Sequence, residues 1–183
     1  MLVRKKIYKK EHILAAAQDL LLEKGFSFIT ARNVAKHMEI STQPIYLEFK
    51  NMEELKLTLL KTIHVFLENE FFSKIKTSNN CANFALNYID LAKTNKKLYI
   101  SLFVEPHSYG KELQKLFFSS FQKYLLNDDN YRTVSNEQLE TLHKNIWIVA
   151  AGIASLSGSG IVNQTEGQLI ALFTTIEKNS GIS

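Results

Sequence analysis

Breakers and cysteines are scarce in this sequence. Its 183 residues include two prolines, seven glycines and one cysteine. All-β folds need frequent turns rich in those first two residues, so that class is excluded. A lone cysteine, Cys81, leaves no intrachain disulfide and suits a reducing, cytoplasmic setting. No run reaches the roughly 18 uninterrupted apolar residues of a membrane helix, and the richest segment, Ile146–Leu156, is too short to span. The apolar run Ile13–Leu22 is broken by Gln18 and Asp19 and precedes no small-residue cleavage site, so it does not read as a secretory signal. Enzyme signatures are missing too: there is no G-x-S-x-G, no H-E-x-x-H and no phosphate-cradling glycine loop. The sequence therefore points to no catalytic residue, no cofactor and no metal site. His107, which follows Glu105-Pro106, has no second ligand at helical spacing.

What is present is helix-forming. The chain is 45% hydrophobic and 22% charged, and its long stretches of Leu, Lys, Glu, Ala and Phe lack breakers. Spacings of three and four predict helix 1 over Lys9–Lys24, with Ile13, Ala16, Ala17, Leu20 and Leu21 inward and Gly25 as its stop. Thr30 caps helix 2 and Ser41 caps helix 3, with Pro44 in its first turn. A capping box at Asn51–Glu54 opens a helix expected to continue to about Lys76, roughly 25 residues and nearly 38 Å. Further helices are expected at 81–95, 97–105, 110–127, 136–157 and 165–179, the fourth opened by a capping box at Ser135–Gln138.

Charge is unevenly placed. Residues 1–50 hold 9 Lys+Arg against 5 Asp+Glu, and residues 51–183 hold 13 of each, so the net +4 lies wholly in the first fifty. A basic end on a neutral body suits a phosphate-binding module on a carrier. Residues 30–54 read as two short helices separated by a tight break, a shape that fits the major groove.

The stretch Ile13–Leu55 resembles the DNA-binding head of TetR-family transcriptional regulators. The matching residues are the Ala-Ala pair of helix 1, Lys24-Gly25-Phe26, Thr30, Val34-Ala35, Ser41, Ile45-Tyr46, Phe49, Asn51 and Glu53-Glu54-Leu55. Three positions depart from the family pattern. Glu39 stands where a glycine is usual, Met52 where a lysine is usual, and Gln43-Pro44 where small residues are usual. The resemblance implies an all-α protein with a three-helix helix-turn-helix head at residues 1–50. A helical effector-binding and dimerisation body follows at 51–183.

It also implies that helix 3 enters the major groove of a double-stranded operator. Gln43 can pair bidentately with adenine, and Pro44 can touch a thymine methyl. Ser41, Thr42, Tyr46, Lys50, Thr30 and Lys6 are candidate phosphate contacts, and Arg32 can reach a phosphate or a guanine. One helix reads few base pairs, so a homodimer on a pseudo-palindrome is expected. Its interface would use the last two helices, through Ala150, Ala151, Ala154, Leu169, Leu172, Phe173 and Ile176. The aromatic residues Phe66, Phe84, Tyr88, Tyr99, Phe103, Phe117, Phe121 and Trp147, with His107, are candidates to bind a small apolar or aromatic effector, and Asn87, Tyr109 and His143 add polar groups. The expected function is repression, relieved when the effector releases the operator. The competing reading is a helical adaptor that binds protein through its head, against which the basic N-terminal charge argues.

Overall fold

A computed structural model of the chain describes residues 8–125 and 128–180. Among them every regular element is helical, as expected of an all-α chain. The chain divides into two compact units. One takes residues up to Ile63 together with Lys97–Ser108, and the other takes His64–Lys96 together with the residues from Tyr109 on. The first unit thus extends beyond residue 50.

In the first unit, α1 (Lys10–Lys24) buries Ile13, Ala16, Ala17, Leu20 and Leu21, the stripe its spacing requires. It stops at Gly25, whose φ of 79° and ψ of 177° fall in a region essentially confined to glycine. A short 3-10 turn, Phe26–Phe28, leads to α2 (Ala31–His37). The Thr30 hydroxyl accepts the Asn33 amide at 3.2 Å, as its capping role requires. Glu39 follows α2 with φ 56°. Next comes α3 (Gln43–Glu48), with Pro44 in its first turn. Ser41 does not cap it. Thr42 occupies the N-cap in a helical conformation and no side chain closes the end, because the turn from Glu39 brings the chain in already helical.

The capping box at α4 (Met52–Leu67) is a variant of the expected one. Asn51 Oδ1 accepts the Glu54 amide at 2.9 Å, and the Glu54 carboxylate accepts the amide of Lys50 at 2.7 Å, one residue before the usual partner. The later segment of this unit holds the end of α6 (Lys96–Tyr99) and a π-helical turn, Ile100–Val104. Ser101 Oγ, buried, donates to the Leu21 carbonyl at 3.1 Å. The His107 ring rests 4.7 Å from that of Phe26, with Nε2 2.8 Å from the Leu102 carbonyl.

In the second unit the central element is α5 (Asn80–Thr94), which packs on α7 (Gly110–Leu125), α8 (Asn136–Gly158) and α9 (Glu166–Asn179). Every residue from Cys81 to Ile89 is buried, so α5 is covered on all sides. The preceding loop pairs with its two buried asparagines, although Asn87 Oδ1 has no hydrogen-bond partner among the described residues. Asn83 Oδ1 accepts the amides of Lys76 and Thr77 at 2.8 and 2.9 Å, and Asn87 Nδ2 donates to the Lys74 carbonyl at 2.8 Å.

That capture also explains why the helical run expected from Met52 to about Lys76 does not continue past Phe72. The α-helix stops at Leu67, and a π-helical turn, Glu68–Phe72, follows. Apolar periodicity continues through Phe72, but the amides of Lys76 and Thr77 are taken by α5. Capping boxes open α8 at Ser135–Gln138, as expected, and α9 at Thr165–Gln168. Tyr131 and Asn79 both donate to Glu177, tying the end of α9 to the start of α5. Cys81 Sγ lies 3.2 Å from the Tyr131 hydroxyl, and burial pushes the thiol well above its ordinary range.

Candidate functional site

The head is built from the inside out. Ile45 and Phe49, one turn apart on and just after α3, are buried with Ile13, Ala17, Val34 and Leu55. Burying two such side chains contributes about 1.5–3 kcal/mol each. This fixes the rotation of α3 and leaves Gln43, Tyr46 and Leu47 outward. Ser41, Thr42, Gln43, Tyr46, Thr30, Arg32 and Lys50 are all exposed, and Pro44 is partly so. Leu47, 77% exposed, was not singled out from the sequence. Its spacing of four from Gln43 and its place two after the buried Ile45 are the signal that it shares the outer face.

Of the basic end, Lys6 lies outside the described residues. Lys9 is exposed. Lys10 Nζ instead stands 4.7 Å over the Phe49 ring and 3.7 Å from Glu54, so it braces the head. At the far end of α2, His37 Nε2 lies 3.4 Å from Asp19 of α1. A cleft of about 390 Å³ beside it is lined by Leu20, Glu23, Lys24, Phe28, Asn33, Lys36 and His37.

Two comparisons bear on this geometry. Residues 13–58 match the family of bacterial regulatory proteins described as the tetR family. That stretch, about a quarter of the chain, is similar to the family's DNA-binding head. Over 92% of its length, and 96% of the other chain, its fold matches that of a TetR-family protein from Vibrio parahaemolyticus, with a TM-score of 0.62 at 19% identity. No curated protein matches it. No helix among the described residues is long and apolar enough to cross a membrane.

Eight of the nine aromatic and histidine candidates for effector binding fall into two groups. Phe84, Tyr88, Phe117, Phe121 and Trp147 meet in the second unit. Phe84 and Phe121 lie 5.2 Å apart, Phe117 and Trp147 5.3 Å, Tyr88 and Trp147 6.1 Å. Tyr99, Phe103 and His107 belong to the first unit, where Tyr99 and Phe103 pack at 5.5 Å. Phe66 is 42% exposed and pairs edge-on with Phe71 at 6.4 Å. Sequence spacing carries no information about which unit a helix joins, so this division was not legible there.

Beside the aromatic group lies a chain of polar contacts that the sequence pattern did not reveal. His64 Nε2 is 2.7 Å from Ser120 Oγ, which donates to Glu68 at 2.8 Å, and Lys123 Nζ reaches the same carboxylate oxygen at 2.9 Å. Because the Ser120 proton goes to Glu68, His64 is the donor to Ser120. Burial holds the His64 pKa below its ordinary value, against the pull of Glu68. Burial opposes the charge of Glu68, but hydrogen bonds from Lys123 and Ser120 outweigh it and hold its pKa below the usual carboxylate value. These groups border a cleft of about 230 Å³ lined by Glu68, Phe72, Ser73, Ser120, Lys123 and Tyr124. The spacing of His64 and Glu68, four apart on a helix, was the available signal.

The seven dimer-interface candidates on the last two helices divide by burial. Ala150, Ala154, Leu169 and Phe173 are buried within their own unit, because α8 and α9 use that side to cover α5. Ala151, Leu172 and Ile176 are half-buried. The outward side of α8 carries Ile148, 70% exposed, with Gly152 and Leu156. Ile148 and Val149 line a cleft with Ile176 of α9.

Proposed function

We propose that this protein is a TetR-type transcriptional regulator, a cytoplasmic repressor that grips a palindromic operator as a homodimer and releases it on binding a small aromatic effector. The observation that carries the DNA end of this reading is the pinning of α3 by Ile45 and Phe49. It leaves Gln43, Tyr46 and Leu47 as one outward set, flanked by Ser41, Thr42 and Lys50. In this reading residues 1–50 read DNA and residues 51–183 bind effector and partner. Gln43 reads adenine, Pro44 and Leu47 meet thymine methyls, and the remaining polar groups hold phosphates.

The dimer face is the outer side of α8 and α9: Ile148, Ala151, Gly152, Leu156, Leu172 and Ile176. Exposed Ile148 beside Gly152, which has nothing within 4 Å of its Cβ position, supports close packing by a second helix pair. Release follows if the effector binds better to a dimer whose recognition helices no longer match the half-site spacing. The continuous α4, which begins directly after Asn51, supplies a chain link from α3 to the effector unit.

Selection of bound duplexes from random DNA tests the reading. The expected result is a palindrome whose half-sites are centred roughly 10 base pairs, or one turn, apart. A single unpaired half-site, or no enriched sequence, would overturn it. A promoter carrying the selected site should be silenced by the regulator, and activation there would reverse the repressor assignment.

A further inference from the structure

His143, on α8, is a buried polar group that the fold does not use. It is 0% exposed. The rings of Phe121 and Trp147 each lie 5.1 Å from it, Phe84 5.3 Å and Phe118 5.5 Å. Neither ring nitrogen has a hydrogen-bond partner among the described residues. Burial lowers its pKa to about 4, so at neutral pH the imidazole offers one donor and one acceptor. A buried polar group without a partner is disfavoured, and such groups are rare in folded proteins. Phenylalanine or leucine would fill this position without that penalty, so the imidazole is explained if a partner arrives from outside.

A route leads to it. Phe72, in the π-helical turn, lines the 230 Å³ cleft on one side. Its ring lies 5.1 Å from Phe84 and 5.3 Å from Phe117, the rings that border His143 and Trp147. Phe72, and behind it Phe84, therefore stand between the cleft and His143. Breaks in helical register of this kind often sit at functional sites.

Size and charge restrict the visitor. The cleft exceeds the roughly 150 Å³ that accommodates benzene but falls short of the roughly 300–1,000 Å³ of drug-sized sites. That suits a single ring. An anion would lose its hydration among aromatic faces and meet Glu68 at the mouth, while the charge of Glu68 is already met by Lys123. A neutral molecule remains, with an aromatic body for the rings and a hydroxyl for the imidazole.

We propose that His143 is the polar anchor of a binding site for a neutral, hydroxylated single-ring arene, the phenol class, reached by displacement of Phe72 and Phe84. Its role as effector rests on the reading given above, whereas the site itself does not.

The sole tryptophan, Trp147, is the reporter. The full chain is titrated with phenol and with toluene, in which a methyl replaces the hydroxyl, while tryptophan fluorescence is followed. Phenol should bind saturably and roughly tenfold more tightly than toluene, the worth of one hydrogen bond. His143→Phe should lose the preference while binding toluene at least as well. His143→Leu serves if the larger ring does not fold, and thermal melts check both. No saturable change with phenol up to about 1 mM, equal binding of the two probes, or a preference that survives in a folded variant would overturn the site. Operator affinity measured with and without phenol separates the two readings. Phenol bound at His143 with operator affinity unchanged upholds the site and overturns its role as effector.

Discussion

The Ile40 amide donates to the Ala35 carbonyl at 2.9 Å, spanning a left-handed Glu39 with φ 56°. The Glu39 amide meanwhile donates to Lys36 at 3.2 Å. This bond pair is the Schellman ending of a helix, which ordinarily places glycine at the left-handed position. Here a glutamate bears the conformational cost between α2 and α3. Glu39→Gly should therefore raise stability by about 1 kcal/mol, since the relieved strain of roughly 1–2 kcal/mol is partly offset by the greater freedom of glycine when unfolded. Thermal and urea unfolding check this. An unchanged or lowered midpoint would show that the Glu39 side chain compensates for its backbone.

Acid should weaken the fold through His143. Its folded-state pKa, about 4, lies below the ordinary 6.5. Above pH 6.5 the group is neutral in both states. As pH falls below 6.5 the unfolded chain takes up a proton that the folded chain refuses, so stability is lost until about pH 4, where the folded form titrates as well. His64, also held low by burial, acts in the same direction. Each pH unit separating the folded and unfolded pKa values is worth about 1.36 kcal/mol, which makes the His143 contribution a few kcal/mol. His143→Leu should be at least as stable as wild type at pH 7, and its advantage should widen as the pH is lowered toward 4. Urea midpoints measured across that range decide it. A constant gap would mean that the folded chain protonates His143 freely.

The dimer proposal is most exposed at Ile148. An aspartate there would place a charge in the centre of the suggested helix-pair interface and leave the intrachain core untouched, since Ile148 is 70% exposed in the single chain. Ile148→Asp should sediment as a folded monomer and lose operator binding. Ala150→Asp, by contrast, should unfold the chain, because Ala150 is buried against its own unit. If Ile148→Asp remains dimeric, the interface lies elsewhere.

Much of this was readable because helical periodicity is local. The stripe of α1, the Thr30 cap and the Ser135–Gln138 box depend on residues three and four apart, and all three stand as spacing dictates. The unusual turn at Glu39 was legible as a glycine position without glycine. Tertiary choices were not. Whether Ala150 or Ile148 faces inward depends on where α5 lies, and both belong to the same apolar run. The stop of the helical run after Phe72 depends on Asn83, which sits well beyond it in sequence and takes the amides of Lys76 and Thr77. Ser120 and Glu68 are 52 residues apart and signal their contact in no local pattern.

Base reading and phosphate holding can be separated on α3 and just after it. Gln43 stands on the outward side of the helix, and Lys50 is exposed beyond its end. If Gln43 pairs with an adenine edge, Gln43→Ala should lose about 1–3 kcal/mol of discrimination at one or two operator positions and little elsewhere. If Lys50 meets a phosphate, Lys50→Ala should weaken binding to every sequence alike and flatten the salt dependence by about one unit of slope per half-site. The measurement is operator affinity across single-base variants at several salt concentrations. A uniform loss for Gln43→Ala would move it to the backbone. A position-specific loss for Lys50→Ala would place that lysine in the groove, which would require the chain after Glu48 to lie nearer the bases than α3 itself.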